Sequence, residues 1–181
     1  MREPRLIIVT GLPGTGKTTL ARELAARLRV PLLAKDAIKE PLLECLGAAD
    51  AARSRQLSDA SFAVLFAVAR DFVAAGMDVL LEGNFRPGEH EAALRSYSAR
   101  VAQVLCVVEE SQRLARLQSR AADPARHTGH RDSDLARLQP APASHAFLEL
   151  PGARFRCTGD DSNAAQHGAL VAQLDRWWYE G

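Results

Sequence analysis

The chain has 181 residues, with 23 Lys+Arg against 22 Asp+Glu, a formal net charge of +1, and 47% apolar and 25% charged residues. This is the size and composition of one ordinary domain able to bury a real core. The balanced charge argues against a general nucleic-acid coat or a membrane-surface binder, both of which need a clear basic excess.

Leu6-Ile7-Ile8-Val9, closed by Thr10-Gly11, reads as a short central strand buried on both faces. From Lys17 the apolar residues Leu20, Leu24, Ala25 and Leu28 recur at helical spacing, so residues 11–16 form a strand-to-helix turn. Pro31–Ala34 is a second strand, and Asp36 is placed as the N-cap of a helix reaching about Leu46. A long helix is expected over about Arg53–Ala75, striped by Phe62, Leu65, Phe66, Ala69 and Phe72 and ended by Gly76. Val79–Glu82 is a third strand ending on a carboxylate, Glu89–Ala99 a helix, Val101–Val108 a fourth strand, and Glu110–Arg120 a helix. Residues 121–145 are polar and broken by Pro124, Gly129, Pro140 and Pro142, which reads as a mobile lid. Arg154–Thr158 is a fifth strand and Asn163–Tyr179 a closing helix. Alternating strands and helices, with strands apolar on both faces, imply an α/β three-layer fold around a five-stranded parallel sheet, one domain over 1–181.

Cys45, Cys106 and Cys157 are odd in number, widely spaced and without a C-x-x-C pair. They form neither a disulfide framework nor a zinc set, and a reducing, cytoplasmic setting is expected. The apolar stretch after Arg5 is too short for a signal sequence, and no run of eighteen apolar residues occurs, so neither export nor a membrane anchor is expected.

The basic residues divide into 20 Arg and only 3 Lys, at positions 17, 35 and 39. Lysine retained so sparingly points to places that need a compact ammonium, with coding bias as the plain alternative. Lys17 belongs to Gly11-Leu12-Pro13-Gly14-Thr15-Gly16-Lys17-Thr18, which matches G-x-x-x-x-G-K-[ST] without departure. Chance would produce that pattern in roughly one such sequence in a thousand. Its glycines let backbone N–H groups close around a phosphate, and the following helix adds partial positive charge at its N-terminus. Lys17 is expected to reach the β and γ phosphates, Thr18 to ligate Mg²⁺, and Pro13, Thr15 and Thr19 to line the nucleotide. No N-K-x-D guanine loop is available, because every lysine lies at 17, 35 or 39, so ATP is the expected nucleotide.

With these motifs the sequence resembles the small AAA-type P-loop kinases, a group that includes chloramphenicol phosphotransferase, zeta toxin and polynucleotide 5′-hydroxyl kinase. The resemblance runs from Arg5 to about Thr158 and implies an ATP-dependent phosphotransferase with Mg²⁺. In that group an aspartate after the second strand is the general base toward the acceptor hydroxyl, and Asp36 holds the matching position within Lys35-Asp36-Ala37-Ile38-Lys39. Such a carboxylate can take the proton of an attacking hydroxyl, and flanking lysines keep it ionised. Capping and base roles are compatible, since the carboxylate has two oxygens. Lys39 stands where polynucleotide kinases carry an arginine. Glu82, at a strand end where parallel sheets bind ligands, would serve the metal or the acceptor hydroxyl. Asn84 and Arg86 beyond it either contact the acceptor or form an ordinary loop.

Six arginines at 113, 116, 120, 126, 131 and 137 face three aspartates across the proposed lid region. Arginines closing over a γ-phosphate neutralise transition-state charge and exclude water. The resemblance assigns this work to Arg120 and Arg126, leaving Arg113 and Arg116 on a helix surface, paired with Glu109 and Glu110. His127 and His130 lie in a stretch similar to the Arg-His-Pro-Gly-His lid segment of related kinases, which implies acceptor or phosphate contact rather than a metal site. His90, His145 and His167 read as solvated. The expected partner is a small-molecule hydroxyl acceptor, with the protein a monomer or homodimer. A polynucleotide 5′-hydroxyl kinase or nucleotide-sugar kinase is the alternative, and a non-catalytic ATP sensor a third reading. The neutral charge and 6% aromatic content disfavour long nucleic acids.

Overall fold

A computed structural model describes residues 2–47, 50–123, 146–158 and 164–180. In chain order the elements are β1 (Arg5–Gly11), α1 (Lys17–Leu28), β2 (Leu32–Ala34), α2 (Lys35–Leu46), α3 (Ala51–Ala74), β3 (Val79–Gly83), α4 (Glu91–Arg95), β4 (Arg100–Val107), α5 (Glu110–Ala121), β5 (Ala153–Thr158) and α6 (Ala164–Tyr179). The five strands form one sheet in the order β2-β3-β1-β4-β5, with every pairing parallel.

The centre of the sheet follows from β1, in which all seven residues are buried. Successive side chains of a strand alternate between faces. Ile7 and Val9 join Leu20, Leu24, Leu80, Val104, Leu170 and Leu174 in the core on the α1 and α6 side. Leu6 and Ile8 join Phe62, Leu65, Leu81 and Leu94 on the α3 and α4 side. Both faces are therefore covered, and function is left to the ends of the strands. Gln103 of β4 is a fully buried polar residue whose amide satisfies Leu148 in both directions, with Nε2 donating to the carbonyl at 3.1 Å and Oε1 accepting from the N–H at 2.8 Å. This pairing seats residues 148–150 against the core before the chain enters β5.

Three expectations need correction. Helix α2 begins two residues early, with extended Ala34 as its N-cap, because β2 runs into it without an intervening loop. Asp36 thus lies in the first turn, where its charge still favours the positive helix end. The helix expected over 89–99 is only α4, because the chain leaves it at Ser96, whose hydroxyl donates to the Ala93 carbonyl at 2.7 Å. Tyr97 is then free to donate to the Phe66 carbonyl on α3, also at 2.7 Å. Helix α3 starts at Ala51, earlier than the apolar stripe indicated, because Asp50 caps it by accepting from Arg53 N–H at 2.7 Å.

Leu65 has no exposure and sits mid-way along α3 against the sheet. Leu65→Ala is expected to lower unfolding free energy by about 2–5 kcal/mol through lost transfer energy and a residual cavity. Urea titration should show a lower midpoint with an unchanged slope; an unchanged midpoint would mean this face is not the core.

Candidate active site

The site forms at the carboxyl ends of β1, β3 and β2, where the side chains of a parallel sheet meet the loops. Residues 11–16 pass from β1 into α1. Gly14 and Gly16 have φ of +89° and +83°, values in the left-handed region that favours glycine. Thr15 fixes the turn, its hydroxyl donating to the Leu12 carbonyl at 2.8 Å while its N–H reaches the same oxygen at 3.3 Å. Gly16 is the N-cap of α1, and its carbonyl accepts from Thr19 and Leu20 N–H at 3.1 and 3.2 Å. No side chain caps this end, so its first-turn amides are offered to an anion. Thr19 is exposed on that turn and Pro13 half-buried in the loop.

Lys17 and Thr18 converge on Glu82. Lys17 Nζ lies 3.8 Å from Glu82 Oε1, and the Thr18 hydroxyl donates to the same oxygen at 3.2 Å. Parallel pairing of β1 with β3 sets Glu82, one residue before the end of β3, opposite Val9. Glu82 is 2% exposed, and burial pushes its carboxyl above the ordinary value, opposed by Lys17 and reinforced by Asp36. A hydroxyl and a carboxylate oxygen held this close are hard ligands of the kind Mg²⁺ takes beside phosphate oxygens, so the residues fit that ion.

Ala34 of β2 pairs with Glu82, so Lys35 and Asp36 emerge at the same end of the sheet. Lys35 is buried, and its Nζ lies 3.0 Å from Asp36 Oδ1, whose own side chain is 40% exposed. The carboxylate thus faces solvent while its cation lies beneath it, above the Phe62 ring. Lys39 bridges α2 and α3 by donating to Ser54 Oγ at 3.0 Å. Asn84 is half-buried just beyond β3. Arg86 is not brought to the centre: its guanidinium pairs with Glu89 at 2.9 Å on the exposed side of its own loop.

Two residues expected on the helix surface reach the phosphate loop, Arg113 keeping its expected partner Glu110 while buried. Arg113 is 3% exposed; it grips Glu110 through two bonds of 2.7 Å and donates to the Pro13 carbonyl at 3.4 Å. Arg116 donates to the Gly14 carbonyl at 3.3 Å. A Cβ on Gly14 would sit 3.1 Å from Arg113 Cγ, which explains the closeness of α5 to the loop. The i, i+3, i+7 spacing of Arg113, Arg116 and half-buried Arg120 is the signal that could have put all three on one helical face. His90 is likewise buried rather than solvated: it stacks on Phe62 at 4.2 Å, and its Nδ1 accepts from Arg86 N–H at 2.9 Å. Burial lowers its pKa. Among the solvated assignments His145, and among the lid assignments Arg126, His127 and His130, lie outside the described residues.

A family model described as AAA domain matches residues 6–141. A candidate kinase from Chloroflexus aurantiacus superposes with a TM-score of 0.84 at 32% identity, covering 97% of this chain and 98% of the other. Shikimate kinase from Bacteroides thetaiotaomicron gives 0.58 at 19% identity, over 96% and 98%. The APS kinase CysC of Mycobacterium tuberculosis, in complex with AMPPNP and APS, gives 0.57 at 17% identity, over 97% and 98%. No curated protein sequence matches. The chain belongs to the AAA domain family that its phosphate loop and central strands match, and its fold is that of the small P-loop kinases.

Proposed function

We propose that the protein transfers the γ-phosphoryl group of ATP to a hydroxyl of a small molecule, with Asp36 as general base. The observation that carries this reading is the convergence of two charged pairs at one sheet end: Lys17 with Glu82 behind the phosphate loop, and Lys35 with Asp36 at its rim. The loop amides and Lys17 hold the β and γ phosphates. Thr18, supported by Glu82, holds Mg²⁺, which supplies neutralisation of the phosphate oxygens. Asp36 accepts the acceptor's proton as its oxygen bonds to the γ-phosphorus and the bond to the bridging oxygen of ADP breaks. Lys35, 3.0 Å from Asp36 Oδ1, offsets the charge of that carboxylate and fixes its position. Lys39 and Asn84 are assigned to contact the acceptor, and Arg120 with Arg126 to serve the lid of this single kinase domain.

A labelled-ATP screen across antibiotics, sugars, nucleosides and 5′-hydroxyl oligonucleotides tests the reading. Transfer to a hydroxyl acceptor is expected, reduced about 10²–10⁴-fold in Asp36→Asn with binding of an ATP analogue retained. Normal turnover by Asp36→Asn refutes the base assignment, and no turnover with any acceptor makes the protein a nucleotide sensor.

Glu82 carries a second expectation. Its folded carboxyl titrates above the unfolded one, so the folded state binds the proton more tightly. Wild-type stability therefore falls, relative to a neutral side chain, as pH rises from the ordinary carboxylate range through the folded value. Glu82→Gln should melt above wild type at about pH 8, with the gap closing toward about pH 4, while transfer drops roughly 10²-fold. Thermal melts across pH check the sign; a variant that melts lower at about pH 8 contradicts it.

A further inference from the structure

Cys106 on β4 and Cys157 on β5 are far apart in sequence yet stand opposite each other in the parallel register. Cys106 is buried in the core on the α1 and α6 side, and Cys157 packs against the same cluster, so both thiols lie on one face of the sheet. Cys106 acts as thiol donor to the Cys157 sulfur, which together with burial pushes the Cys106 thiol well up while drawing Cys157 down. His167 of α6 also bonds Cys157, and its Nε2 lies 2.9 and 3.0 Å from the two carboxylate oxygens of Glu23 on α1. Carboxylate, imidazole and two sulfurs thus form one chain of contacts built from four elements, none of it used in phosphoryl transfer. The bond to Glu23 raises His167 toward its charged form. The Cys106 bond, with His167, brings the half-exposed Cys157 thiol down to about 7.

Cys106 also touches the phosphate loop. It is the register partner of Gly11, and a Cβ placed on Gly11 would collide with the Cys106 carbonyl oxygen and lie 3.2 Å from the Cys106 Cβ. The backbone of β4 at Cys106 is therefore packed directly against the first residue of the loop.

We propose that Cys157 is a redox-reactive thiol with Cys106 as its resolving partner, and that the disulfide between them deforms the phosphate loop through Gly11. The oxidant is a low-molecular-weight disulfide. The Cys157 thiolate attacks one of its sulfurs, that S–S bond breaks, and one small thiolate leaves and is protonated. Cys106 then attacks the mixed disulfide, and its proton passes to the departing small thiolate, which leaves as the second small thiol. Two protein thiols are oxidised to one disulfide while one small disulfide is reduced to two thiols. Neighbouring strands lie about 4.8 Å apart, inside the Cα range of a disulfide, but aligned Cβ atoms at about that spacing exceed its usual Cβ separation of roughly 3.5–4.5 Å. Closure must draw β4 toward β5, and such strained bonds are readily reduced again. Weaker nucleotide affinity as the consequence rests on the kinase reading; the thiol chemistry and the loop response do not.

The test treats the whole protein with oxidised glutathione and follows it by mass spectrometry, with exposed Cys45 as the internal reference. Wild type should end as the Cys106–Cys157 disulfide, Cys106→Ser should stop at a glutathione adduct on Cys157, and Cys157→Ser should be modified at Cys45 alone. His167→Gln should slow the Cys157 reaction by about fivefold without changing that of Cys45, since it removes a charge that favours the thiolate. Amide exchange over residues 11–16 should quicken at least about threefold on oxidation and return with dithiothreitol. Modification of Cys157 no faster than Cys45 in the Cys106→Ser protein, absence of the disulfide, or unchanged loop exchange would each overturn the proposal. Failure of the reduced protein to bind an ATP analogue would instead count against the kinase reading, leaving the thiol result standing.

Discussion

Complete burial of β1 is the constraint on which the rest depends. A strand covered on both faces and paired on both edges has no freedom to shift in register, because a slip of one residue would exchange Ile7 and Val9 with Leu6 and Ile8 between two differently shaped cores. Its last residue, Gly11, is therefore a fixed point. Glu82 on one neighbouring strand and Cys106 on the other take their positions relative to it through register alone. The loop that follows inherits that position, which is why short backbone segments suffice to build an anion site.

Charge at the sheet end is arranged against the usual preference of proteins. Lysine almost always keeps its ammonium in water. Lys17 and Lys35 are buried and Lys39 half-buried, each engaged with Glu82, Asp36 or Ser54. Glu82, buried beneath the loop, is held away from its preferred ionisation, a local instability of the kind found where a phosphate or metal site must be ready before its ligand arrives. Arginine, by contrast, also does ordinary surface work, as in the bidentate Arg27–Asp175 pair. A net charge of +1 averages over this segregation.

The succession of elements along the chain was legible because buried parallel strands are continuous apolar runs and their helices carry a clear stripe, whereas the order of the strands across the sheet was not. The phosphate loop was legible because its glycines and lysine are required by local geometry. Lys35 beside Asp36 follows from adjacency in the chain. What could not be read depends on contacts between distant segments. Arg113 looks like a solvated helix residue until α5 is laid against Pro13 and Gly14. His90 looks like a loop residue until α3 supplies Phe62 beneath it. Cys106 and Cys157 look unrelated until β4 and β5 align. Helix ends were misplaced where a single side chain, Asp50 or Ser96, decided the terminus.

The grip of α5 on the loop has a consequence that follows from the planarity of the peptide unit. In a trans peptide the carbonyl and the next N–H point in opposite directions. Because the Pro13 carbonyl is turned toward Arg113, the N–H of Gly14 must face the other way, off the side of the loop remote from α5. Arg113 is itself neutralised by Glu110, so little net charge reaches the loop from it. Its effect on an anion is indirect: it sets the heading of a backbone dipole, and a guanidinium fixed to the outside of the loop governs what the inside presents.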